Sequence, residues 1–218
     1  TYDRAVVILN RRDRVVENLR GAGIAEVGHS TSSPPPRIHL VEHLHRSLGF
    51  LVPPKAPALQ WLSPKEGSHE IWVHPGSGGV RKCIPLEVMA SLISALRRET
   101  GWSIVVTVGE ADSFVVNDGA WRELIAQDRV SLVEGFSLSR ICEGLGKSGI
   151  YVGNDSGISH MAAGLGIPCL VFFTATDPDQ WAPWVPGDQL TVVDCRERPA
   201  SEWSIDELMD HLPLKVLG

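Results

Sequence analysis

Short apolar runs of β-branched residues alternate with stretches of helical periodicity, and glycine or proline separates one from the next. This alternation is the feature that most limits what the chain can fold into. From residue 71 onward Ile71–His74, Ser103–Val108, Val130–Val133, Ile150–Val152, Cys169–Phe173 and Leu190–Val193 read as strands. Between them, Met89, Leu92, Ile93 and Leu96 recur at i, i+3, i+4 and i+7, as do Ile158, Met161, Ala162 and Leu165. Helices are expected from Pro85 to about Glu99, over 119–127, from Ser137 to Lys147 and from Ile158 to Leu165. Ser204-Ile205-Asp206-Glu207 has the S-x-x-E spacing of a capping box, predicting a last helix at about 204–212. Strands alternating with helices of this length imply right-handed βαβ crossovers. The fold class is therefore α/β, a Rossmann-like doubly wound parallel sheet with helices on both faces.

The front of the chain repeats the alternation more weakly. Strands are expected at Ala5–Asn10 and Ile24–Val27, with a helix from Asp13 to about Arg20 and another over Ile38–Leu48. Pro53, Pro54, Pro57 and Pro64 crowd the next stretch. The predicted division is a first domain at 1–52, a linker at 53–69 and a second domain at 70–218. At 218 residues the length suits between one domain and two, and 43% hydrophobic residues provide for a core. The net charge of −6, +2 before residue 51 and −8 after it, argues against general nucleic-acid binding. No apolar run approaches the roughly 18 residues that span a bilayer. The start, Thr1-Tyr2-Asp3-Arg4, lacks the pattern of a secretion signal, which predicts a cytoplasmic protein. The four cysteines, at 83, 142, 169 and 195, form no C-x-x-C pair, so reduced thiols are expected in place of disulfides or a zinc site.

In doubly wound sheets, ligands bind beyond the carboxyl ends of the strands. Four such ends carry chemistry here. After Val73 comes His74-Pro75-Gly76-Ser77-Gly78-Gly79-Val80-Arg81-Lys82, a glycine-rich turn with a hydroxyl and two cations running into a helix. Such a turn suits phosphate, although neither the Walker A spacing nor G-x-G-x-x-G is present. The bland alternative is a loop with incidental charges. After Val152 comes Gly153-Asn154-Asp155-Ser156-Gly157-Ile158-Ser159-His160. Asp155 or Ser156 can cap the following helix, whose N-terminus attracts an anion. His160, one turn in, either points back toward the strand ends or is a buried core histidine. After Val108, Glu110 or Asp112 offers a carboxylate of the kind that accepts from ribose hydroxyls. After Phe173 comes a long, proline-punctuated loop with Thr176, Asp177 and two tryptophans. The set suits a nucleoside diphosphate bearing a polar group.

Three other patterns suggest different chemistry. His39-Leu40-Val41-Glu42-His43 matches H-x-x-E-H, but nothing downstream supplies a third zinc ligand. Asp177-Pro178-Asp179 is a D-x-D, which reads better as a turn with a local cap than as a metal site. Gly153-Asn154-Asp155-Ser156-Gly157 is not the G-x-S-x-G of a hydrolase.

HPGSGGVRKCIP at 74–85, GNDSGISHMAAGLGIP at 153–168 and TDPDQWAP at 176–183, in this order and spacing, resemble glycosyltransferase family 9, whose best-known members are ADP-heptose:lipopolysaccharide heptosyltransferases. The resemblance covers about 70–212. It implies a GT-B fold, a C-terminal domain for the nucleotide-sugar donor and an N-terminal domain for the acceptor. It implies inverting, metal-independent transfer of a sugar, with no cofactor, to a glycolipid or oligosaccharide of the lipopolysaccharide-core type, and peripheral contact with the cytoplasmic face of the inner membrane. Carried over by motif, Ser77, Gly78, Gly79 and Lys82 are expected at the donor diphosphate. Asp155, Ser156, Gly157 and His160 are expected at the sugar and phosphates, Glu110 at the ribose, and Thr176 and Asp177 in a donor loop. Ile84 stands where an aromatic is usual, and Thr174-Ala175 where Gly-Pro is usual. Tyr2-Asp3 with Ala5–Leu9 resembles a later strand of the N-terminal domain. The expectation is therefore a complete donor domain with an incomplete N-terminal one. The loop carrying the aspartate base would lie outside this chain, and neither Asp3 nor Asp13 is assigned in its place. The rival readings are a GT-B nucleotide-sugar epimerase and a non-catalytic donor-binding remnant.

Overall fold

A computed structural model describes residues 2–10, 13–56 and 69–212. The chain divides into two compact units, Thr1–Lys55 with Asp179–Trp181, and Ala56–Pro178 with Ala182–Gly218. Most of the proline-rich stretch expected as a linker, 57–68, lies outside the described residues.

In the first unit, strands β1 (Arg4–Ile8) and β2 (Glu26–Ser30) pair in parallel, flanked by helices α1 (Asp13–Gly21) and α2 (Leu40–Ser47). β2 begins two residues later than the sequence predicts. Gly23 adopts φ +88°, and the Ile24 amide turns back to the Leu19 carbonyl at 3.1 Å, which consumes Ile24 in the helix terminus. Of the two histidines in the H-x-x-E-H pattern only His43 lies within the helix. His39 precedes α2 and caps it, its Nδ1 accepting from the Val41 amide at 3.1 Å. His43 Nε2 lies 2.8 Å from Thr31 Oγ1.

The second unit is a six-stranded parallel sheet with helices on both faces. Its strands are β3 (Glu70–His74), β4 (Ser103–Val108), β5 (Val130–Glu134), β6 (Ile150–Asn154), β7 (Cys169–Phe173) and β8 (Leu190–Asp194). The spatial order is β5-β4-β3-β6-β7-β8. Counted within the unit this is 3-2-1-4-5-6, the doubly wound order. Its helices are α3 (Leu86–Thr100), α4 (Ser113–Asn117), α5 (Gly119–Ile125), α6 (Leu138–Leu145), α7 (Gly157–Gly164) and α9 (Ile205–Asp210), while the intervening single turn α8 (Pro178–Trp181) has Asp179–Trp181 in the first unit.

The central strands β6 and β7 are buried at every residue because both faces are covered, whereas the edge strand β5 leaves Ser131 and Glu134 exposed. Ile71, Val73, Ile104, Val106, Ile150, Val152, Leu170 and Phe172 pack with Met89, Leu92, Ile93 and Leu96 of α3, Trp121 of α5 and Leu208 of α9. Alternate residues face the other way, where the Trp72 ring lies so close to Gly144 of α6 that a Cβ there would overlap it. Both halves of the predicted capping box form: Ser204 Oγ accepts from the Glu207 amide at 3.1 Å, and Glu207 accepts from the Ser204 amide at 2.8 Å. The four cysteines are unpaired. Among the described residues no helix is long and apolar enough to cross a membrane.

Candidate functional site

The strand order reverses between β3 and β6, so their carboxyl ends send chains in opposite directions and leave a crevice between them. In register, His74 lies beside Gly153. The glycine-rich turn after His74 and the Asp155–His160 segment therefore leave from neighbouring strands, although about 80 residues separate them in the chain.

The turn runs through Gly78 and Gly79 into a 3-10 turn at Val80–Lys82. Pro85 is the N-cap of α3, where the sequence predicts it as the first helical residue. Its ψ of 136° is extended, and its carbonyl takes the amides of Val88 at 3.1 Å and Met89 at 3.2 Å. Lys82 Nζ reaches Asp155 Oδ2 at 2.7 Å. The Thr176 hydroxyl donates to that same oxygen at 2.5 Å. Three residues predicted separately thus meet at one carboxylate, whose side chain is only 8% exposed. An ammonium has three donors, so one bond to Asp155 leaves two for a ligand.

Asp155 is held from behind as well, and this revises the expectation for Ser77. The Ser77 hydroxyl is buried and donates to the Asp155 carbonyl at 2.6 Å, so its proton is not directed at a ligand. Of the two candidate caps for α7, Ser156 is the one used, accepting from the Ser159 amide at 3.4 Å. Gly157 opens the helix in open space, with no atom within 4 Å of where a Cβ would stand. His160 is exposed in the first turn, which rules out the core-histidine alternative. The N-cap of α7, Ser156, directly follows Asp155, so the positive end of that helix lies next to the Lys82 ion pair.

The two carboxylates after β4 part company. Glu110 is exposed at the start of its 3-10 turn, on a strand end separate from the Lys82–Asp155–Thr176 cluster. Asp112, the alternative ribose acceptor, turns inward and is 3% exposed. It accepts from the Gly109 amide at 2.8 Å and stands 3.8 Å from Nε2 of the buried His74. A Cβ on Gly76 would overlap the Asp112 carboxylate, so this glycine lets the turn pass directly over it. Burial holds the His74 imidazole below its ordinary pKa, against the Thr107 carbonyl and Asp112, which both raise it.

Where the 174–175 pair departs from its usual residues, the Thr174 hydroxyl donates to the Arg81 carbonyl at 2.7 Å. Ala175 and residues 78–82 line a cavity of about 580 Å³. Asp177 pairs with Arg196 at 3.3 Å, and Arg196 also holds Asp194 at 2.7 Å. Among the described residues no group of three or more His, Cys, Asp or Glu side chains is arranged to hold a metal ion. Asn154, which the sequence did not single out, is fully buried at the end of β6. An asparagine before a D-S-G cap carries no signal beyond β-strand end, and its partners lie far away in sequence.

The family model of glycosyltransferase family 9 (heptosyltransferase) matches residues 52–211. No curated protein sequence matches the chain. Solved structures do. The E. coli heptosyltransferase WaaC with ADP is 17% identical, with 96% of this chain and 72% of that chain covered at a TM-score of 0.69. The E. coli ADP-heptose lps heptosyltransferase II is 19% identical, with 100% and 78% covered at a TM-score of 0.71. A glycosyl transferase family 9 protein of Veillonella parvula DSM 2008 is 13% identical, with 98% and 73% covered at a TM-score of 0.74. At these identities the likeness is one of fold, and it agrees with the GT-B type α/β architecture expected from the motifs.

Proposed function

We propose that this chain, which belongs to glycosyltransferase family 9, binds a nucleoside-diphosphate sugar at the β3–β6 crevice and passes its sugar to an acceptor hydroxyl. The donor is ADP-heptose, the acceptor is a glycolipid or oligosaccharide of the lipopolysaccharide-core type, and transfer inverts the anomeric carbon without a metal. The single observation that carries the reading is the fixed Lys82 ammonium, 2.7 Å from Asp155, beside the glycine-rich turn and the N-terminus of α7. The similar E. coli structures solved with ADP and with ADP-2-deoxy-2-fluoro heptose favour an adenine nucleotide carrying heptose.

In this reading residues 70–218 hold the donor and residues 1–52 belong to the acceptor side, joined through 53–69. Lys82 and the Gly78 and Gly79 amides take the diphosphate. Ser156, Gly157 and the helix they open neutralise charge as the bond to the sugar breaks, an electrostatic role that falls on preorganised dipoles and one cation. His160 and Asp155 contact the sugar and phosphates, Glu110 accepts from the ribose, and Thr176 and Asp177 hold the loop over the donor. Ser77 acts through Asp155. No residue of the chain is assigned as the base that deprotonates the acceptor. Metal-independent transfer fits the engagement of the nearby carboxylates, because Asp155 already bonds Lys82 and Thr176, and Asp177 already pairs with Arg196. Such an enzyme would work in the cytoplasm, at the inner face of the membrane that carries its acceptor.

The test is a thermal-shift screen against ADP-, GDP- and UDP-sugars, followed by product analysis with and without acceptor. The expected result is a selective rise in Tm with the ADP-sugar and release of ADP only when acceptor is present. A sugar altered without transfer would instead establish an epimerase, and binding with neither outcome a donor-binding remnant. No binding of any nucleotide sugar would end the donor reading.

A further inference from the structure

Asn154 is the last residue of β6 and is 0% exposed. Its side chain crosses to the glycine-rich turn and bonds both of its ends. Nδ2 donates to the Pro75 carbonyl at 2.7 Å, and Oδ1 accepts from the Ile84 amide at 3.1 Å. Neither backbone group has a ready partner in regular structure. Pro75 follows the end of β3, and Ile84 precedes Pro85, which disfavours a helical conformation there. A buried backbone donor or acceptor left without a partner is costly. One primary amide supplies a donor and an acceptor at the spacing the two ends need.

The next residue continues the pattern. The Asp155 carbonyl takes the Ser77 hydroxyl, and its carboxylate takes Lys82. Two consecutive residues at the end of β6 therefore hold the turn at positions 75, 77, 82 and 84. Asp155 holds the groups within the turn, and Asn154 holds its two feet.

We infer that Asn154 is a positioning residue for donor binding, fixing the Pro75–Ile84 turn so that its amides and Lys82 face the diphosphate without having to be ordered by it. This rests on the donor reading of the site. Asn154 acts through the turn and touches no reacting atom. Its effect arises because a turn that the ligand has to order spends binding free energy on that ordering.

The experiment uses the full chain and ADP as the probe, with calorimetric affinity and amide hydrogen exchange measured on wild type, Asn154→Leu, Asn154→Asp and Lys82→Ala. Leucine keeps the volume and removes both bonds, while aspartate keeps an acceptor for Ile84 and loses the donor to Pro75. Expected are an ADP affinity on the order of 10-fold weaker in Asn154→Leu, the size of an ordering cost of this kind, and a smaller loss in Asn154→Asp. Protection of the Ile84 amide should be lost in the leucine variant and kept in the aspartate variant, with β4 and β7 protected as in wild type. Unchanged ADP affinity in a folded Asn154→Leu, alongside weakened binding in Lys82→Ala, overturns the inference and leaves the donor reading standing. Loss of protection throughout the sheet together with loss of binding also overturns it, since the role is then structural only. If Asn154→Leu does not fold, Asn154→Ala, which also removes both bonds, decides, and wild-type affinity in it overturns the inference. Failure of wild type to bind ADP overturns this inference and the adenine-donor reading together.

Discussion

Lys82 Nζ lies 2.7 Å from Asp155 Oδ2, joining the turn after β3 to the end of β6 across the point where the strand order reverses. If the ammonium binds the donor diphosphate as proposed, replacing Lys82 with alanine removes a charged hydrogen bond to it. ADP binding should weaken by about 1–3 kcal/mol, measured by calorimetric titration. An unchanged affinity would remove Lys82 from the phosphate site.

The same pair should be energetically coupled in the absence of ligand. Asp155→Asn leaves Lys82 without its counter-charge, and Lys82→Ala leaves a buried carboxylate. A double-mutant cycle in chemical denaturation is expected to show a coupling of about 0.5–3 kcal/mol. The lower half of that range is favoured because the Lys82 side chain is 38% exposed and water screens it. Strict additivity would mean that the ion pair is incidental.

His160 is exposed in the first turn of α7 and is not among the buried core residues. His160→Ala should therefore reduce donor affinity or turnover while leaving Tm within about 2 °C of wild type, since exposed substitutions typically shift stability by less than about 0.5 kcal/mol. A lowered Tm with donor binding intact would assign the histidine to folding alone.

Two glycines of the same turn should respond differently to an added methyl group. A Cβ on Gly76 would overlap the Asp112 carboxylate, whereas nothing lies within 4 Å of one on Gly78. Gly76→Ala is expected to destabilise the fold by about 1–3 kcal/mol, the usual range for overpacking a filled site. Gly78→Ala should leave the denaturation midpoint nearly unchanged. Equal effects would mean that the turn does not rest on Asp112.

Stability should fall with acidification through His74. Its pKa is lowered in the folded protein by burial, so near pH 6 the unfolded chain, titrating at about 6.5, binds the proton more readily than the native state. The unfolding free energy is then largest above about pH 6.5 and declines as the pH drops toward the folded value. Denaturation curves at about pH 7.5 and 5.5 should show this decline, and His74→Gln, which retains a donor for the Thr107 carbonyl, should flatten it. An unchanged pH slope in His74→Gln would place the dependence on other groups.

Much of this molecule can be read from local sequence. Ser103–Val108 and Cys169–Phe173 are strands at the predicted residues, and Ser137, Ser156 and Ser204 cap helices where their residue type suggests. Those signals act within a few residues, through side-chain period and cap chemistry. Local reasoning failed where a partner came from afar. Ser77 found a carbonyl 78 positions away, and the Asn154 side chain found partners 79 and 70 positions away. Asp112 and Glu110, two residues apart, could not be told apart until burial separated them.

What the sequence by itself determined is the alternation of strands and helices, and the placing of glycines, lysine, carboxylates and histidine at strand ends. Periodicity and turn chemistry are written in neighbouring residues. Only the tertiary structure decided that β3 pairs with β6, that Lys82 meets Asp155 and Thr176 on one oxygen, and that Asn154 pins both feet of the turn. Parallel pairing joins strands about 80 residues apart, and which polar atoms then become buried, and must find partners, follows from that pairing.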